Sequence, residues 1–240
     1  MSAVAKLRPA KVRSALKRRW FARRLPTLAL TPMPGLEDVG TPYGGWTIPF
    51  GLVTPDWTCW TVGAGGDITF DLALLDRGAT VRSFEPAPAY VEHAREQAAG
   101  RDRFSAHQVA VAATDGPIRL QVTHHEGSNS VSSADLYDTE GDHIEVPGRT
   151  LASLQAEFGD ARVDLLKLDI EGAEYDVMPT VDLRALGVSV FSTQLHHTGS
   201  VADARALIAA VEAQGYAAVA CRPVVKLTFV RNDLLPAGLS

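Results

Sequence analysis

The chain has 240 residues, 46% hydrophobic and 21% charged, a composition that suits one sizeable α/β core and argues against disorder. Its net charge of −5 hides an asymmetry: residues 1–24 hold nine Lys/Arg and no acid, which leaves 14 basic against 28 acidic residues beyond them. An acidic body argues against a nucleic-acid enzyme, because phosphate-backbone binding needs basic surface at the site. The two cysteines, Cys59 and Cys221, are far apart and suggest neither a disulfide framework nor a zinc site. No apolar run approaches the roughly 20 residues of a membrane span. The expectation is a cytoplasmic protein with no nucleic-acid partner.

In chain order, residues 1–24 form a basic leader. Val4, Leu7, Val12, Leu16, Trp20 and Phe21 alternate with Lys11, Arg13, Lys17, Arg18 and Arg19, which reads as a solvated amphipathic helix or a weak contact with an anionic membrane surface. Residues 25–57 carry six prolines and five glycines, too many for long elements, and read as a lead-in that wraps the core. From residue 58 to 240, short apolar runs alternate with helical stretches, the pattern of βα units around a parallel sheet. Strands are expected near 58–62, 80–84, 104–109, 163–169, 188–195, 216–221 and 225–231, and helices near 67–77, 88–99, 150–158, 172–180 and 201–214. The last helix has Ser200 as N-cap, Asp203 to complete a capping box and Gly215 as its stop. The final two strands are too close for a crossover and must pair antiparallel, closing a mainly parallel seven-stranded sheet.

The chemistry begins at the first strand's end. Gly63, Ala64, Gly65 and Gly66 form a glycine-rich turn into a helix, where a ligand can approach the backbone at a topological switch point. The second strand ends in Glu85, an acid placed to accept bonds from two ribose hydroxyls. Either NAD or S-adenosylmethionine fits that pair. The dinucleotide fingerprint wants a third glycine where this chain has Ile68, which favours S-adenosylmethionine, a cofactor without a diphosphate. Gly63, Ala64, Gly65, Glu85 and Ala110, directly after the third strand, make up the expected cofactor contacts. A further run, VDLLKLDIEGAE over 163–174, is an apolar strand ending in Asp169 with Glu171 and Glu174 beyond it. Lys167 and Asp169 share one side of that strand, and Leu166 and Leu168 the other.

The runs GAGGDITFDLAL, VRSFEP and VDLLKLDIEGAE, with YGGWTIP before them and TQLHH after, resemble the FkbM family of S-adenosylmethionine-dependent methyltransferases from about Tyr43 to the C-terminus. The resemblance implies a Rossmann-like class I methyltransferase fold and methylation of a hydroxyl on a sugar, glycan or natural product. The chain departs from the family's pattern in two places. Thr61 stands where the family commonly has an acid two positions before the first glycine, and Gln194 and Leu195 stand where an acid commonly precedes the histidine. Two alternatives stay open: an NAD-dependent oxidoreductase, which would give no reason for KLDIEGAE, and a binding protein that keeps the fold without catalysis.

A neutral alcohol needs a base, and Asp169, His196 and His197 are the candidate catalytic residues near the strand tips. Adjacent histidines on a strand face opposite sides, so one of the two is expected in the site. No metal is expected; Asp169, Glu171 and one histidine holding a divalent cation is the alternative. The polar run from His124 to Ser133 reads as a loop or lid over the acceptor.

Overall fold

The computed structural model describes residues 28–125, 128–133, 143–196, 198–222 and 225–237, with side chains from 121 to 133 left aside. The basic leader and His197 lie outside the described residues. A hairpin of β1 (Leu36–Val39) and β2 (Trp46–Pro49) precedes the alternating part. There follow β3 (Thr58–Val62), α1 (Thr69–Asp76), β4 (Thr80–Phe84), α2 (Pro88–Gln97) and β5 (Phe104–His107). After β6 (Ala110–Val111), β7 (Gly116–His125), β8 (Ser128–Ser133) and β9 (His143–Arg149) come α3 (Leu151–Phe158), β10 (Leu165–Leu168) and α4 (Glu174–Val177). The chain closes with β11 (Val190–Gln194), α5 (Val201–Ala213), β12 (Tyr216–Arg222) and β13 (Lys226–Arg231). No helix among the described residues is long and apolar enough to cross a membrane.

The main sheet has seven strands in the order β12-β13-β11-β10-β3-β4-β5. Six run in one direction, and β13 alone of the seven runs antiparallel, between β11 and β12, as the short final connection requires. This is the Rossmann-like arrangement expected. The chain builds outward from β3 to β5 and then returns to β10 on the other side of β3. The switch point therefore lies between β3 and β10, where open α/β sheets bind ligands.

Strand alternation sends side chains to two cores. Trp60, Val62, Phe84, Leu166, Leu168, Phe191 and Phe229 fill one face. Cys59, Val81, Leu165, Val190 and Val230 fill the other, beneath Phe70 and Leu74 of α1 and beneath Trp46 and Ile48 of β2. The second face also carries a row of polar side chains, each opposite the next in register: Thr228, Ser192, Lys167, Thr61 and Ser83. All five are buried. The lead-in is thus a core layer, and Thr228 Oγ1 donates to the Thr47 carbonyl at 2.7 Å to hold it down.

Several expected boundaries shift for local reasons. The first helix starts at Thr69 because Asp67 folds back to accept the Thr69 N–H at 3.0 Å. The helix expected over 172–180 is only α4 followed by a 3-10 turn, because Glu171 and Gly172 take positive φ of 54° and 111°. The strand expected over 104–109 stops at His107, and the chain leaves the main sheet to start β6 in a separate four-stranded sheet ordered β6-β9-β7-β8. In that sheet the polar run expected as a loop is instead paired, His125 to Ser128 and outward to Leu120 with Ser133. The capping box at Ser200 and Asp203 and the left-handed Gly215 after α5 form as the sequence implies.

Two glycines of the β3–α1 turn should respond differently to substitution. A Cβ on Gly63 would lie 1.8 Å from the Asp169 carbonyl oxygen, and φ is +76°; a Cβ on Gly65, φ +59°, would meet nothing within 4 Å. Gly63→Ala is expected to cost about 2–4 kcal/mol from the clash and the backbone strain together. Gly65→Ala should cost only the left-handed penalty of about 1–2 kcal/mol. Denaturant midpoints of the two variants check this, and equal losses would refute it.

Candidate active site

The turn after β3 is held from two sides. Gly63 N–H donates to the Phe84 carbonyl at 2.9 Å, and Lys167 Nζ donates to the Gly63 carbonyl. A buried lysine needs an acid, and the sequence supplies one from an unexpected place. Asp71, on α1, is 3% exposed and accepts a 2.5 Å bond from Thr61. Burial raises the Asp71 pKa, with Thr61 and the charge of Lys167 opposing. The strand position that the family commonly gives to an acid is Thr61, and in this chain the carboxylate beside it comes from the helix.

Glu85 lies at the tip of β4, 5% exposed. Its oxygens accept from Gly65 N–H at 3.0 Å and Ala87 N–H at 2.9 Å. Burial pushes its pKa up, and these backbone donors, with Lys167, pull against that. Gly63, Ala64, Gly65 and Glu85 therefore lie together at the tips of β3 and β4. Ala110 stands apart in its packing: its side chain joins Leu120 and Val146 in the core of the second sheet.

Across the switch point, the segment after β10 folds around Glu174, which is fully buried. Glu174 accepts the N–H groups of Ile170 at 2.8 Å and Gly172 at 2.9 Å, which closes the turn that Glu171 and Gly172 make with positive φ. It also takes His196 Nδ1 at 3.0 Å. His196, just past β11, is placed further by Tyr175, whose hydroxyl donates to the His196 carbonyl at 2.8 Å. Its Nε2 faces the Gln194 amide at 3.0 Å, Glu171 at 3.4 Å and Asp169 at 3.7 Å. Asp169, Glu171 and His196 thus offer ligand atoms within 4.8 Å of one another.

Burial alone would lower the His196 pKa, but the Glu174 hydrogen bond and the charges of Glu174, Asp169 and Glu171 outweigh it and lift it to about 9. Desolvation and the charges of Asp169 and Glu174 raise the Glu171 pKa, with His196 opposing. The sequence had singled out Asp169 and His196; it gave no role to Glu174, Tyr175 or Asp71. Glu174 was detectable only as an acid three residues beyond Glu171, a spacing whose meaning depends on the left-handed turn between them.

The sequence matches the family model of the methyltransferase FkbM domain over residues 54–217. The chain belongs to the FkbM methyltransferase family. No curated protein matches the sequence. Among solved structures, the methyltransferase FkbM of Methylobacillus flagellatus KT is similar at 13% identity and TM-score 0.49, covering 92% of this chain and 60% of that one. A Methanococcus jannaschii fibrillarin pre-rRNA processing protein is similar at 11% identity and TM-score 0.45, covering 75% of this chain and 68% of that one. This FkbM-family methyltransferase therefore spans three fifths of the first of these relatives.

Histidine titration checks the description of the acid cage. In chelator, the His196 imidazole should titrate near 9, and Glu174→Gln should bring the midpoint down toward an ordinary histidine. A raised folded pKa stabilises fully below the unfolded value of about 6.5. That contribution should fade as pH rises through about 9. An unshifted imidazole resonance in the folded wild type would show that the cage is not formed.

Proposed function

We propose that this protein transfers a methyl group from S-adenosylmethionine to a hydroxyl of a sugar, glycan or natural-product acceptor. Family membership supports the transferase class, and the C-terminal strand tips supply the fit to the donor. Above Gly65 there is open space, since a Cβ there meets nothing within 4 Å. Each Glu85 oxygen takes one backbone N–H and keeps a lone pair for a ribose hydroxyl.

Asp67 favours this donor over a dinucleotide. A diphosphate would need the N–H groups at the start of α1. Asp67 already lies there, accepting from Thr69 N–H at 3.0 Å and Thr69 Oγ1 at 2.6 Å and from Thr41. Partial burial works against its charge, but these bonds hold its pKa below the usual range, so an anion would meet a carboxylate.

When bound, S-adenosylmethionine supplies a methyl on a sulfonium, which leaves as a neutral thioether as the new O–CH₃ bond forms. Glu85 and the turn hold the donor's nucleoside. Asp169, whose main chain abuts Gly63, faces the reacting end. The acceptor's proton goes to a carboxylate of the Asp169 cluster, which stands at the tip of β10 beside Glu171 and His196.

Calorimetry with S-adenosylhomocysteine and S-adenosylmethionine tests the donor. Glu85→Ala should weaken binding by about 1–3 kcal/mol, the cost of leaving ribose hydroxyls unpaired. Asp169→Asn should leave binding nearly intact and lower turnover of a methyl-accepting hydroxylated substrate by about 100-fold or more. Absence of binding in the folded wild type would overturn the proposal in favour of a non-catalytic binding protein, and binding of NAD instead would overturn the choice of donor.

A further inference from the structure

The charges around His196 do not balance. Glu174, Asp169 and Glu171 surround one imidazole, which has two nitrogens to offer. Nδ1 is committed to Glu174 at 3.0 Å, and Nε2 has Gln194 at 3.0 Å. Asp169 and Glu171 remain at 3.7 and 3.4 Å, longer than a hydrogen bond. Asp169 Oδ1 is wholly shielded from solvent and has no hydrogen-bond partner at all. A buried carboxylate oxygen left in that condition is costly unless a cation meets it. The charges of Lys226 and Lys167 reach Asp169 and Glu171 only through space: their hydrogen bonds go to carbonyls, Lys167 to Gly63 and Lys226 to Tyr43 and Gly45.

The geometry points to a divalent-cation site formed by Asp169, Glu171 and His196 Nε2. The three donor atoms lie within 4.8 Å of one another, a spread that an ion at their centre spans with ordinary metal–ligand distances. The set is one imidazole nitrogen and two carboxylate oxygens, which suits a hard cation such as Mg²⁺ or Mn²⁺ rather than a thiophilic one. Glu174 supplies the outer support such sites use: fully buried and bonded to Nδ1, it fixes the tautomer that presents Nε2 to the ion. Its bonds to Ile170 and Gly172 fix the turn that carries Glu171. The left-handed Glu171 brings its side chain to the cluster while remaining 55% exposed, leaving a route for the ion and a solvent-facing side for further ligands. Gln194, against Nε2, is the nearest neutral group to complete the shell.

On the proposed function, an ion here would sit beside the acceptor hydroxyl and lower its pKa, leaving Asp169 and Glu171 as ligands and the proton to solvent or to a free carboxylate oxygen. Cation binding itself is independent of the methyl donor, so it can be tested without one. The full chain, stripped with chelator, is titrated with Mn²⁺ and the free ion followed by electron paramagnetic resonance. One Mn²⁺ should bind per chain, competed by Mg²⁺. Asp169→Asn and Glu171→Gln should each weaken it by about tenfold or more, and Glu174→Gln by about 10–100-fold through Nε2. Glu37→Gln, an exposed acid on β1, should change nothing.

If Glu174→Gln fails to fold, the two ligand variants alone decide. No stoichiometric Mn²⁺ binding, or binding indifferent to Asp169→Asn and Glu171→Gln, would overturn the site and leave the cluster an ion-pair network around a protonated His196. Retained S-adenosylhomocysteine binding in chelator alongside that result would show that the proposed methyl donor stands while the metal site falls.

Discussion

The site depends on the contact between Gly63 and the main chain of Asp169. With only a hydrogen where a side chain would begin, Gly63 lets the β3–α1 turn lie directly against the tip of β10, so close that a Cβ would overlap the Asp169 carbonyl. That contact brings together two pieces that the sequence keeps more than eighty residues apart. One is the turn and Glu85; the other is the acid-rich corner that Glu174 ties down. Parallel pairing of β3 with β10, Leu168 opposite Val62, delivers both tips at the same height. The close approach then makes them one surface.

Such proximity concentrates negative charge, and the structure answers from below. Lys167 lies in a buried polar row on the sheet face under α1 and the hairpin, with Asp71 and Thr61 beside it, and it reaches up to the carbonyl of Gly63. Its ammonium acts on Asp71, Glu85 and Glu171 alike. The ring of Trp46 packs over it from the lead-in, 5.9 Å from Nζ, and also under Lys226 at 4.6 Å. The lead-in thus does more than fill a core; it shields the charges that hold the turn.

The parts of this arrangement that rest on local rules were legible. Short apolar runs alternating with helical stretches located the strands of the main sheet, and the Ser200–Asp203 box with Gly215 bounded α5. The glycine turn, Glu85 and Asp169 stood out because strand tips in an α/β sheet have few structural reasons to carry them. What was not legible depends on contacts across the chain. The second sheet hides in Ser-, Pro- and Gly-rich sequence that resembles loop, and Pro147 and Gly148 inside β9 disguise it further. Thr61 looks like a lost acid until the helix is folded back and Asp71 meets it. Glu174 looks like a helix-surface residue until the two positive-φ residues before it turn its carboxylate inward.

The fastening of the β1–β2 hairpin bears on how the protein is made. Its carbonyls at Tyr43, Gly45 and Thr47 are gripped by Lys226 and Thr228, side chains some 181 to 183 residues further along. The same strand, β13, is the one inserted between β11 and β12. During synthesis, therefore, the hairpin leaves the ribosome long before the strand that fastens it. Until β13 emerges, the hairpin lacks its fastening to Lys226 and Thr228, and β12 has no neighbour in the sheet. Closure in a single late step, with its high cost in loop entropy, is the folding order this topology imposes.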